Sequence, residues 1–171
     1  MRQICVMGTQ AAATSHEQAV HEIAQPLVTA LSQELGDRLV AIVLFGSRAR
    51  GNATTHSDWD LLLVATEPPI RTLQRHTIVK KLLPLPWRGL ASVLAKTPEE
   101  FDAALTSLYL DIALDRIVLY DKNHYMRRRL TSLRRQLKKL GLYRVSDGRE
   151  IVWHWEVAPT HDWQLEWGGA A

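Results

Sequence analysis

The chain has 171 residues, of which 46% are hydrophobic and 23% charged, and its net charge is only +3. That composition suits one globular domain with a substantial core and excludes disorder throughout. A single cysteine, Cys5, excludes an internal disulfide, and no apolar run nears the ~18 residues that a membrane helix needs. The first residues, MRQICVMGTQAAAT, lack the sustained apolar core of a signal peptide, so a soluble protein in the reducing cytoplasm is expected.

In chain order, residues 1–14 read as an N-terminal extension. Ser15 with Gln18 three residues later forms a capping-box signature for a helix. Val20, Ile23, Leu27, Ala30, Leu31 and Leu35 give that helix an apolar stripe, and Gly36-Asp37 ends it. LVAIVLF, Leu39 to Phe45, is a continuous apolar run of strand length, which predicts a strand buried on both faces. DWDLLLVA, Asp58 to Ala65, reads the same way. After Pro68-Pro69 a helix is expected from Ile70 to Leu83, then a short strand over Leu90–Ala95. In TPEEF, Thr97 is a cap, Pro98 takes the first helical position, and two glutamates face the positive end of the helix dipole. Arg116–Asp121 predicts another strand and His124–Leu140 another helix, with Leu130, Leu133, Leu137 and Leu140 as its stripe. YRVSDGREIVWHW predicts a hairpin over residues 143–157, turning at Asp147-Gly148. Residues 158–171 read as a loosely held, tryptophan-rich tail. The expected class is α/β (α+β): a small mixed sheet with helices packed on it, residues 15–142 forming the principal domain.

LFGSRARGNATTHSDWDLLLV, Leu44 to Val64, carries the chemistry. Gly46 allows a sharp turn and the close approach of a ligand. Ser47 adds a hydroxyl at a helix start, where free N–H groups favour an anion. Arg48 and Arg50 suit phosphate geometry, although a surface ion pair is an equal reading for Arg50. Asp58 and Asp60 stand two apart on a strand and so share a side. Paired carboxylates repel unless a cation sits between them, and Mg²⁺ commonly takes one or two carboxylates together with substrate phosphates. The residues therefore point to a site for a metal and a nucleoside triphosphate. Trp59 faces the other way and packs.

Gly46-Ser47, ten residues, then Asp58-Trp59-Asp60 resembles the GSx10DxD signature of the nucleotidyltransferase superfamily that includes DNA polymerase beta. The fuller FGSRARG…SDWDLLLV is similar to the minimal nucleotidyltransferase group, many of whose members pair with HEPN-domain proteins as antitoxins. The likeness runs from about Leu31 to Leu140. It implies transfer of a nucleoside monophosphate, with ATP as the expected donor, to a hydroxyl acceptor. Asp58 and Asp60 would hold Mg²⁺ and carry catalysis, Gly46 and Ser47 would form the phosphate loop, and Arg48 would touch phosphate. The resemblance also implies a third acid on the strand after the next helix. Ser92 stands at that position, and no aspartate or glutamate occurs between Glu67 and Glu99. A second reading is therefore a nucleotidyltransferase fold that binds nucleotide or a partner without transfer.

Two surfaces lie outside the motif. From Lys122 to Arg144 there are nine basic residues and no acid. The simplest reading is the solvated face of an amphipathic helix, with phosphate, RNA or an acidic partner as alternatives. Trp153 and Trp155 share a strand face, and Trp163 and Trp167 are four apart. They either cover an apolar edge of the sheet or form an interface with a second copy or a partner. The seven histidines show no metal-ligand spacing, and His56 is expected to be exposed in the motif loop.

Overall fold

The structure is a computed structural model and describes residues 5–67, 72–147, 150–160, 165 and 167. Helix α1 spans Cys5–Leu35, strand β1 Leu39–Phe45, the short helix α2 Gly46–Arg50, and strand β2 Trp59–Ala65. Helix α3 (Thr72–Leu82), strand β3 (Ala91–Lys96), helix α4 (Pro98–Asp102) and helix α5 (Ser107–Asp115) follow. Strand β4 (Ile117–Asp121), helix α6 (Tyr125–Lys139), and strands β5 (Leu142–Asp147) and β6 (Glu150–Trp155) complete the chain. Four strands form one sheet in the order β3-β2-β1-β4, and β5 and β6 form a separate two-stranded sheet. β2 pairs parallel with β3, whereas β1 pairs antiparallel with β2 and with β4. This is the expected mixed sheet with helices packed on it.

The unbroken apolar run in β1 follows from its surroundings. Ile42 and Leu44 face a core layer that includes Leu27 and Leu31 of α1 and Val79 of α3. Val43 faces the other layer, built with Phe101, Ile112, Met126 and Leu130 from α4, α5 and α6. Both faces of the central strands are thus covered, and no polar alternation is tolerated. Val40 and Ala41 turn to the same layer, where the pairing of β1 with β2 slips at a bulge.

Three expectations are corrected. The helix expected from Ser15 already runs from Cys5, so Ser15 lies inside α1 and caps nothing. Ile23 is 57% exposed and Ala24 takes its place in the stripe. Pro26 stands inside α1 on its exposed side. The tail is not wholly loose: Leu165 and Trp167 pack on the second core layer, and the Trp167 indole donates to the Phe101 carbonyl at 3.1 Å. Trp153 and Trp155 pack on the same layer, whereas Trp163, Pro68, Pro69 and Gly148 lie outside the described residues. No helix among the described residues is long and apolar enough to cross a membrane.

Candidate active site

The site is built where β1 ends and β2 begins. Phe45 pairs with Asp60 across the antiparallel ladder, so the end of β1 lies beside the first residues of β2. Gly46 takes φ 74°, and a Cβ there would stand 3.3 Å from the Asp60 Cγ and overlap its Oδ2. The chain can pass the carboxylate this closely only as glycine. Gly46 is the first residue of α2 and Ser47 the second, and Gly51, at φ 77°, closes the helix. The parallel pairing with β3 sets Ser92 directly across from Asp60. The glycine, the aspartate and the serine thus stand side by side on three adjacent strand ends.

Asp58 is exposed just before β2, and Asp60 is half-buried. Burial raises the Asp60 carboxyl above its ordinary range, the Asp58 charge raises it further, and Arg50 partly offsets both. The two aspartates therefore repel, which is the condition that a divalent cation relieves.

The arginines divide in role. Arg48 donates to the Ser57 carbonyl from Nε at 3.0 Å and Nη2 at 2.6 Å. Its guanidinium also lies 5.0 Å from the centre of the Trp59 ring. Trp59 in turn meets Trp87 edge-on, with ring centres 4.9 Å apart. Arg48 is thus engaged in holding the motif loop against β2. His16, on the part of α1 that precedes the motif likeness, donates to the Arg48 carbonyl at 2.9 Å and braces the loop from outside. Ser57 Oγ accepts from the Thr54 amide at 2.9 Å, which rounds the loop, and His56 is exposed as expected.

Arg50 makes the ion pair that its alternative reading foresees, donating to Asp115 at 3.2 Å. It remains within electrostatic reach of Asp60. Asp115 is also gripped by Arg144 of β5, at 2.6 and 2.7 Å, and Arg144 reaches Asp111 at 3.1 Å. This network was missed at the level of sequence. A signal existed: Arg144 sits opposite Trp153 on the inward face of the hairpin, and a cation there requires a carboxylate.

None of the remaining acids near the site replaces the absent one. Asp111 and Asp115 are held as described. Asp121 accepts from the Met126 and Arg127 amides at 2.8 and 3.0 Å, and it pairs with Ala41 at the opposite end of the sheet. Among the described residues no group of three or more His, Cys, Asp or Glu side chains could hold a metal ion. The donor set at the site is therefore two carboxylates. That fits one Mg²⁺ completed by substrate phosphates and water.

The chain is 27% identical over 146 residues to a candidate protein adenylyltransferase of Methanocaldococcus jannaschii, covering 83% of this chain and 97% of that protein. A candidate nucleotidyltransferase from Sulfolobus solfataricus is 20% identical at a TM-score of 0.44, over 64% of this chain and 87% of that one. A chain of a toxin–antitoxin complex with AMP-PNP is 17% identical at a TM-score of 0.45, over 67% and 89%. A chain of the complex of a tri-AMPylated Shewanella oneidensis HEPN toxin with its MNT antitoxin is 16% identical at 0.39, over 74% and 90%. Residues 26–143, well over half of the sequence, match the family model of the nucleotidyltransferase domain, and the chain belongs to that family.

Proposed function

We propose that the chain transfers a nucleoside monophosphate, AMP from ATP, to a hydroxyl on a protein partner. One observation carries the reading: Asp60 stands in register with Phe45 on one side and Ser92 on the other, its carboxylate against Gly46. The curated relative named for protein adenylylation supports a protein acceptor. The motif's likeness to minimal nucleotidyltransferases supports a small HEPN-type protein as that partner.

In this reading Gly46 and Ser47 receive the triphosphate, and Arg50 lends positive charge at the rim. Asp58 and Asp60 would hold Mg²⁺, which supplies charge stabilisation at the transferring phosphate. The acceptor oxygen bonds to the α-phosphorus, the bond to the bridging oxygen breaks, and pyrophosphate leaves. The acceptor's proton has no carboxylate to receive it at Ser92. That task falls to the surroundings that the acceptor brings with it or to water.

The hydroxyl at Ser92 favours a second reading, nucleotide or partner binding without transfer. Calorimetry of the intact chain with ATP and Mg²⁺, beside Asp60→Ala and a Mg²⁺-free control, tests the first step. Metal-dependent binding that Asp60→Ala abolishes is the expected outcome. Silence with ATP, GTP, CTP and UTP alike overturns the site. Pyrophosphate release on adding a candidate partner then separates transfer from binding alone.

A further inference from the structure

The nine basic residues between Lys122 and Arg144 do not all serve the fold. Lys122 pairs with Asp37, Arg127 stands 3.9 Å from Asp121, and Arg129 and Arg144 grip Asp102 and Asp115. Arg128, Arg134, Arg135, Lys138 and Lys139 remain, all exposed on α6. Among the described residues no carboxylate lies within 4.0 Å of any of them. Arg134 and Lys138, and likewise Arg135 and Lys139, are spaced i,i+4, an arrangement in which like charges destabilise a helix. Arg116, beneath this surface, is held below the ordinary arginine range by burial and then by Arg134 and Arg127. An ordinary solvated helix face interleaves acids with bases, and α6 carries no acid of its own from Tyr125 to Lys139; Glu17 partly offsets the field at Arg116, and Glu156 stands against Gly141 just past the helix end.

A second feature adjoins it. α6 passes into β5 through the turn at Leu140-Gly141, and Tyr143 is the first residue to face outward from the hairpin. Its ring stacks on that of His154, with centres 5.8 Å apart and planes 27° from parallel. Tyr143 is 44% exposed, and Val145 and Val152, each 41% exposed, pair beside it. The indoles of the hairpin face inward, so this outer face is a separate apolar and aromatic platform. Residues 144–171 also lie beyond the part of the chain that matches the family.

We infer that α6 and the outer face of the β5–β6 hairpin together form a docking surface for single-stranded RNA. The exposed cations complement a phosphodiester backbone, and the Tyr143–His154 platform offers π-faces to unpaired bases. An acidic protein would also neutralise the cations and cover the rings, but single-stranded nucleic acid pairs a phosphate with a stacking base at every residue, the same pairing of charge and ring that this surface presents. A duplex would bury its bases away from the rings, and RNA is the single-stranded polyphosphate that a cell holds in quantity.

Fluorescence anisotropy of the full chain with a labelled, unstructured RNA of about 20 nucleotides tests this, in salt from about 50 to about 200 mM. Binding should weaken as salt rises. Arg134→Ala with Arg135→Ala should flatten the log–log salt slope by about 0.7 for each phosphate no longer neutralised. Tyr143→Leu keeps an apolar side chain on the strand, and it should weaken binding by about fivefold or more at an unchanged slope. Circular dichroism should show both variants folded, the double variant with an unchanged or higher Tm, because it removes repulsion. Absence of RNA binding at the lowest salt overturns the inference. So does competition by poly-glutamate equal to that by RNA with Tyr143→Leu indistinguishable from the wild type, which would make the surface one for acidic proteins. Tighter binding of the same sequence as DNA overturns the assignment to RNA.

Discussion

Gly46 and Gly36 both take positive φ, at 74° and 52°, but only Gly46 has a neighbour that a side chain would strike. At Gly36 nothing lies within 4 Å of a Cβ, whereas at Gly46 the Asp60 carboxylate does. Alanine at either position meets the left-handed backbone penalty of about 1–2 kcal/mol, a fall in Tm of about 2–8 °C for a chain of this size. Only Gly46→Ala should also displace the Asp60 carboxylate. Mg²⁺-dependent ATP binding by that variant is expected to weaken by about tenfold or more (about 1.4 kcal/mol), whereas Gly36→Ala keeps it. Equal binding by the two variants, measured by calorimetry, would mean that the close approach of Gly46 does not set the site. At this scale two of the residues that the sequence singles out, Gly46 and Asp60, meet at the strand ends, because glycine and paired aspartates at fixed spacing each have a distinct physical use. What the sequence does not show is the acceptor that Arg48 finds within the protein, the Ser57 carbonyl, which the loop brings to it.

Helix α4 shows what a local signal can establish. Thr97 accepts from the Glu100 amide at 3.1 Å, and Glu100 returns the bond to the Thr97 amide at 3.1 Å, a complete capping box. The Arg75 guanidinium hydrogen-bonded to Glu100 holds that carboxyl below its ordinary value, burial opposes this, and the Thr97 amide adds to the lowering. A depressed carboxyl stabilises the fold above its unfolded pKa, and the contribution is lost as pH falls through the folded one. Thr97→Ala should therefore lower Tm by about 2–4 °C, for a cap worth about 1 kcal/mol. The Tm gap between wild type and Glu100→Gln should narrow as pH is taken from about 6 to about 3, because the unfolded carboxylate takes up its proton first and the folded one follows as pH nears its lowered pKa. A gap independent of pH would show that the charge of Glu100 contributes nothing. TPEEF discloses this cap because all its parts lie within four residues. The Ser15 signature is just as local, yet it misleads, since α1 had already begun at Cys5 and a helix in progress needs no cap. β1 is legible over its full length because burial on both faces leaves no polar interruption to misread.

Across the whole molecule, one ion network joins parts of the chain that no local pattern relates. Arg144 of the hairpin holds Asp115 at the end of α5, and Asp115 holds Arg50 of the motif helix. The side chains of Asp115 and Arg144 are 11% and 14% exposed, so solvent screens the pair only weakly. Sheet order and partnerships of this span depend on how the elements are stacked, which is why the hairpin reads in sequence as an appendage rather than as part of the site's support. The network makes the hairpin a brace for Arg50. Asp115→Asn should release Arg50 from its fixed position and leave Arg144 with Asp111 alone. Its Tm should fall, since a mostly buried pair has lost one partner. Its affinity for Mg²⁺–ATP should also weaken by about three- to tenfold (about 0.7–1.4 kcal/mol), although Asp115 itself touches no phosphate in the proposed site. Arg144→Lys keeps the charge but loses the paired hydrogen bonds, and it should move both quantities in the same direction by less. Calorimetry beside thermal melts separates the outcomes. A lower Tm with unchanged nucleotide affinity in both variants would make the network purely structural. A parallel loss in both would show that the hairpin supports the phosphate side of the site through Asp115.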